Sequence, residues 1–181
     1  SKISLYTLSF KHFLQFGHNL INKLAAWSGS IRYEDITFHH ADILETLSNN
    51  RTGALIIVSH LGNQELSRAL AAQHTDIKLN VLVHTKHAQK FNHLLNETNT
   101  ASHLNLLQVT EISPATAIDL KTRVDNGEMV VIAGDRTPVN GGHQSVVSFL
   151  GERADFPQGP YILASVLQCP VLLMFNSSSC G

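Results

Sequence analysis

Charge is scarce in this chain. Asp, Glu, Lys and Arg make up 15% of its 181 residues, against about a quarter in an ordinary globular domain, so much apolar surface is expected to be buried or to touch lipid. A net charge of −1 with histidine neutral offers no general case for nucleic acid or an anionic membrane surface as partner. Two cysteines, Cys169 and Cys180, are too few for a disulfide framework and suit a reducing compartment. Cys169 lies among apolar neighbours before Pro170 and reads as a core residue. Neither Gly-x-Gly-x-x-Gly nor a Walker A pattern occurs, which disfavours nucleotide enzymes. Gly-x-Ser-x-Gly is also absent. Ser59 directly precedes His60, and neighbours on a strand point to opposite faces, so a serine–histidine nucleophilic pair is disfavoured. No repeat, low-complexity tract or linker divides the chain. It opens without methionine and stops soon after an apolar run, as expected of a fragment whose C-terminal part is missing, so the absence of a signal peptide or membrane span decides little.

What is present is an alternation of apolar runs and helical patterns. Ala54–Val58, Ile77–Val83, Leu106–Val109, Met129–Ala133, Val146–Leu150 and Val171–Phe175 read as strands. Ala41–Leu47, Leu66–Gln73, Lys86–Glu97, Ala115–Val124 and Pro160–Leu167 read as helices. Repeated strand–helix units call for right-handed crossovers. The fold class is therefore α/β, a mostly parallel mixed sheet flanked by helices, with the antiparallel exception around Ser145–Leu150. The division expected is an amphipathic N-terminal helix within residues 1–30, stopped by Ser28-Gly29-Ser30, and one α/β domain over 31–181. The apolar stripe of that helix has two readings. The ordinary one packs it on the domain. The other lays it in a lipid headgroup layer with Lys11, Lys23 and Trp27 as interfacial anchors.

The most informative residues are His60-Leu61-Gly62-Asn63-Gln64-Glu65. They follow a buried strand and open a helix, and the carboxyl ends of strands are where α/β sheets collect ligands and catalytic groups. Gly62 permits the turn. Glu65, in the first helical turn, is placed to fold back onto one imidazole nitrogen, which would fix the tautomer and leave the other free to take a proton. A plainer reading stands beside it: a first-turn carboxylate also complements the helix dipole, and a histidine at a strand end is often a hydrogen-bonded structural residue.

A second block follows the Met129–Ala133 run: Gly134-Asp135-Arg136-Thr137-Pro138-Val139, a loop with Gly141 and Gly142, Ser145–Gly151, Phe156-Pro157-Gln158-Gly159-Pro160-Tyr161 and Cys169–Phe175. With the His60-to-Glu65 motif before it, this order resembles the lysophospholipid acyltransferase superfamily, in the branch that contains the lipid A late acyltransferases. It is similar also to acyltransferases of bacterial glycolipid and aryl-polyene clusters. The likeness runs from about residue 54 to residue 175. It implies transfer of a fatty acyl group from a thioester donor, acyl carrier protein or coenzyme A, to a hydroxyl of a membrane lipid or glycolipid. It implies His60 as general base with Glu65, and Asp135 and Arg136 in substrate binding, Asp135 buttressing Arg136 or holding an acceptor hydroxyl. Backbone amides near Gly62 or Gly159 are candidates for steadying an oxyanion, and Asn63 joins them among the expected substrate-binding residues. No metal or cofactor beyond the acyl thioester is implied, and the expected location is the cytoplasmic side of the inner membrane.

Departures from the family pattern are informative. Phe156-Pro157-Gln158-Gly159 resembles the Phe-Pro-Glu-Gly block of glycerolipid enzymes, but Gln158 replaces the acid and Pro160 the usual threonine, which counts against a glycerol-phosphate acceptor. Arg153 reads as a surface charge, with a second anion contact as the alternative. His84, His87 and His93 approach ligand spacing but lack cysteine or carboxylate partners for a zinc motif; His39, His40 and His143 read as loop residues. Two alternatives to the acyltransferase stay open on sequence alone, an ester or thioester hydrolase and a non-catalytic lipid-binding domain.

Overall fold

The computed structural model describes residues 2–27, 37, 39–61, 78–83, 104–108, 113–137 and 142–175. Five short strands form one parallel sheet: β1 (Ala54–Val58), β2 (Leu79–Val83), β3 (Leu104–Gln108), β4 (Met129–Ala133) and β7 (Val171–Met174), in the order β3-β2-β4-β1-β7. Purely parallel pairing requires cover on both faces, and the strand sequences comply. Every residue of β1 is buried. Ala54, Ile56, Val58, Met129 and Val131 face one side with Leu44 and Leu47, which belong to α2 (Ala41–Asn49). Leu55, Ile57, Val130 and Ile132 face the other with Leu120, Val124, Leu163 and Leu167, from α3 (Pro114–Asp125) and α4 (Gly159–Leu167). Ser113 caps α3, its hydroxyl accepting from the Thr116 N–H at 3.1 Å, and Pro114 takes the first turn, where no N–H is needed.

Two elements depart from expectation. The antiparallel segment is a separate hairpin, β5 (Gln144–Phe149) with β6 (Glu152–Pro157), outside the main sheet. The strand over 152–157 is not evident from sequence, since Glu152-Arg153-Ala154-Asp155 is charged and half-polar. The N-terminal helix α1 spans Lys2–Trp27, and its described large apolar side chains are exposed: Leu5, Leu8, Phe10, Phe13, Phe16 and Ile21 among them. The expectation that its apolar stripe packs on the domain is not met at those positions. No helix among the described residues is long and apolar enough to cross a membrane.

Toward the amino ends of the strands, Asn80 is 1% exposed yet fully engaged. Its Nδ2 donates to Glu128 Oε2 at 2.7 Å, and its Oδ1 accepts from Arg123 Nη1 at 2.9 Å and Asn105 Nδ2 at 3.3 Å. This network ties β2, β3, α3 and the start of β4 together. A buried polar group is tolerated only when satisfied in this way.

Candidate active site

β1 and β4 are neighbours in perfect parallel register, Ala54 opposite Met129 through Val58 opposite Ala133. The same offset of 75 residues carries His60 and Asp135 off the two strand ends side by side. The last rung is Gly134, whose N–H donates to the Val58 carbonyl at 2.8 Å. A Cβ on Gly134 would lie 2.5 Å from Ile57 Cγ2, so only glycine lets β4 leave the sheet this close to β1. On the β1 side the Ser59 hydroxyl accepts from the Leu61 N–H at 3.3 Å and turns the chain at His60.

The result is a carboxylate clamped on one histidine. Asp135 Oδ1 lies 2.7 Å from His60 Nδ1, and Oδ2 accepts the His60 backbone N–H. The side chains are 43% and 28% exposed respectively, open enough for substrate yet partly shielded. Burial acts to raise the Asp135 pKa, but the hydrogen bonds from the His60 ring and backbone, with attraction to the imidazolium, outweigh it and hold the carboxyl below its usual 3.8. Asp135 is therefore ionised at neutral pH and can only accept. Nδ1 must carry the proton of that hydrogen bond, which leaves Nε2 of a neutral ring with a free lone pair.

The other residues singled out from sequence fall in several places. Arg136 is exposed immediately beyond the clamp, and no hydrogen bond or ion pair engages it among the described residues. Asp135 gives both oxygens to His60 rather than to Arg136. Gly159 opens α4, and a Cβ there would meet nothing within 4 Å, so packing does not demand glycine at that point. Glu65, Gly62 and Asn63 lie outside the described residues, as do His84, His87, His93 and Cys180. His39, His40 and His143 are exposed outside helix and strand. Cys169 packs beside the α3/α4 core cluster, and burial pushes its thiol pKa up, as for an unreactive core cysteine. No group of three metal-ligating side chains occurs among the described residues.

These observations define an α/β protein with a histidine–carboxylate pair at the carboxyl ends of two adjacent central strands. A search of curated proteins returns no match. The model of the bacterial lipid A biosynthesis acyltransferase family matches residues 11–178, and the chain belongs to that family. It is an acyltransferase, and the family implies an acyl donor and a lipid acceptor.

Proposed function

We propose that His60 is the general base of acyl transfer from a thioester to a hydroxyl of a membrane lipid or glycolipid. The observation that carries the reading is the two-point hold of Asp135 on His60, which leaves Nε2 to face substrate. As the acceptor oxygen attacks the thioester carbonyl, Nε2 takes its proton. The tetrahedral intermediate collapses, the C–S bond breaks, and the departing thiolate receives that proton from the imidazolium. Asp135 fixes the tautomer and stabilises the imidazolium in between, the role a triad carboxylate plays. Glu65, separated from His60 by four residues, is the second carboxylate of this proposal. A thiolate is a good leaving group, so the step needs no metal and no cofactor besides the acyl thioester. Arg136, exposed and free of described partners, is placed to bind a phosphate or carboxylate of donor or acceptor. Backbone amides around Gly62, Asn63 and Gly159 complete the proposed substrate-binding set.

Acyl carrier protein is the proposed donor, with coenzyme A as its competitor, and an inner-membrane glycolipid the proposed acceptor. The exposed apolar side chains of α1, beside an exposed Lys11, support seating at the cytoplasmic surface of that membrane. Thiol release from acyl-carrier-protein and acyl-CoA thioesters, with and without membrane lipid extract, tests the proposal. Lipid-stimulated release should fall roughly 10²–10⁴-fold in His60→Ala. A folded His60→Ala protein with the wild-type rate would remove His60 from the chemistry. Release without acylated lipid would instead mark a thioester hydrolase.

A further inference from the structure

The β5–β6 hairpin ends in an apolar tip that its own fold does not need. Phe149 pairs with Glu152 across the turn Leu150-Gly151, whose φ angles are 53° and 88°. That two-residue geometry favours asparagine or aspartate before glycine. A leucine side chain meets a steric penalty in the left-handed region. Packing does not offset it, because Leu150 is 89% exposed and Phe149 beside it 51%. Single exposed apolar residues are ordinary on a surface. A leucine that is both strained and bare is not.

The hairpin is fixed from its base. Gln158 Nε2 donates to the Gln144 carbonyl at 3.1 Å and to Ser145 Oγ at 2.9 Å, and the Gln158 N–H donates to the His143 carbonyl at 2.9 Å. Phe149 and Phe156 meet edge-on with ring centroids 5.5 Å apart, which stiffens the strands against each other. Polarity is zoned along it. No charge occurs from Gln144 through Gly151, and behind the tip Glu152, Arg153 and Asp155 are all exposed.

We propose that this tip is a membrane wedge, with Leu150 and Phe149 entering the surface of a zwitterionic bilayer. The inference rests on the acceptor being a membrane lipid, and not on His60 being the base. The charges behind the tip are of both signs, Arg153 beside Glu152 and Asp155. They complement headgroups that carry phosphate and ammonium together and lack the basic cluster that an anionic surface recruits. Insertion stops at the boundary of headgroups and acyl chains, since the open edges of a two-stranded sheet are not tolerated in hydrocarbon. The left-handed leucine is then a feature of function, held at the expense of the turn.

The test uses the full chain and two kinds of variant. Leu150→Asn suits the turn and removes the wedge, so its two effects have opposite signs. Tm should rise by about 2–4 °C as the strain is relieved. Partition into phosphatidylethanolamine–phosphatidylcholine vesicles should weaken about tenfold, the value of burying a leucine side chain, and by the same factor when phosphatidylglycerol is added. The second kind reports depth. Trp27 is the sole tryptophan, so Leu150→Trp in a Trp27→Phe background puts one fluorophore on the tip, and Gln144→Trp in that background puts it at the base, about 17 Å away along the strand. Lipids brominated on the acyl chain should quench the tip reporter and spare the base reporter, which also separates the wedge from any binding through α1. Equal quenching at both positions, none at the tip, or a Leu150→Asn loss confined to phosphatidylglycerol vesicles overturns the proposal. So does a Leu150→Asn protein that binds vesicles as wild type but loses kcat/KM for a carrier-protein thioester, which would assign the tip to a protein partner. Quenching needs no turnover, so the wedge stands or falls whether or not His60→Ala abolishes acyl transfer.

Discussion

Replacing Asp135 by asparagine isolates what the clamp does, because the change is nearly isosteric and its consequence follows from counting acceptors. The carboxylate accepts two hydrogen bonds, from the His60 ring at 2.7 Å and from the His60 backbone N–H. Asparagine has one oxygen. If that oxygen stays on the ring, the amide NH2 faces the backbone N–H, donor against donor. If it turns to the backbone N–H, the NH2 donates to Nδ1, every bond is satisfied, and the ring must move its own proton to Nε2. The second arrangement wins because an opposed donor pair costs more than a tautomer change. Nε2 then carries a hydrogen and has no lone pair for the acceptor hydroxyl.

The two consequences differ greatly in size. Loss of the ionised acceptor at a site exposed to water costs about 1 kcal/mol of stability, or about 2–4 °C in Tm for a chain of this length. Loss of the correct tautomer should cost roughly 10²–10⁴-fold in kcat. The assay pairs lipid-dependent thiol release with a thermal melt of the same preparation. Glu65→Gln, measured alongside, should cost less than Asp135→Asn, since Nδ1 is already engaged. A folded Asp135→Asn protein retaining more than about a tenth of the wild-type rate, or a Glu65→Gln protein crippled while Asp135→Asn is not, would refute the assignment of Asp135 as the orienting carboxylate.

Gly134→Ala should lose about 1–3 kcal/mol from overpacking, because its Cβ would sit 2.5 Å from buried Ile57 Cγ2; the rate should fall with it as Asp135 is displaced, and denaturant melts with parallel rate measurements check both. The Asp135 carboxyl has a lowered pKa in the folded protein, so its contribution to stability is present above the usual carboxylate value and is lost as pH falls through the folded one. Wild type should thus exceed Asp135→Asn in stability at neutral pH, with the gap closing below about pH 4; an undiminished gap at lower pH would contradict the linkage. Asn80→Leu should cost about 1–3 kcal/mol by leaving Arg123 and Glu128 short of a partner, while kcat per folded molecule stays unchanged, because the network lies near the strand starts and the candidate site at their ends.

The sheet was legible where burial on both faces leaves a continuous apolar run. Ala54–Val58 and Met129–Ala133 stand out for that reason. β6 was not legible because it lies in an exposed hairpin with charged residues, and because its turn breaks the usual rule. Leu150 and Gly151 both have positive φ, the geometry of a two-residue hairpin turn that ordinarily selects asparagine or aspartate before glycine. Leucine there gives no turn signal. The exposure of α1 was equally hidden, since an amphipathic pattern states that a face is apolar and not what covers it.

The candidate site shows where sequence reasoning stops for a physical reason. His60 could be picked out locally, from a strand end followed by a glycine turn. The nearest carboxylate along the chain, Glu65, is then the natural partner, and Asp135 reads as a buttress for its neighbour Arg136 or a holder of an acceptor hydroxyl. The pairing of His60 with Asp135 depends instead on strand order. β2 and β3 intervene in the chain between β1 and β4, yet β4 lies directly beside β1, and no periodicity records that adjacency. Gly134 held a trace of it, since a glycine just past an apolar, largely β-branched strand implies a close backbone approach. What approaches can be read only once the register is known, and the register that sets Val58 against Ala133 is the same one that sets an imidazole against a carboxylate two residues further on.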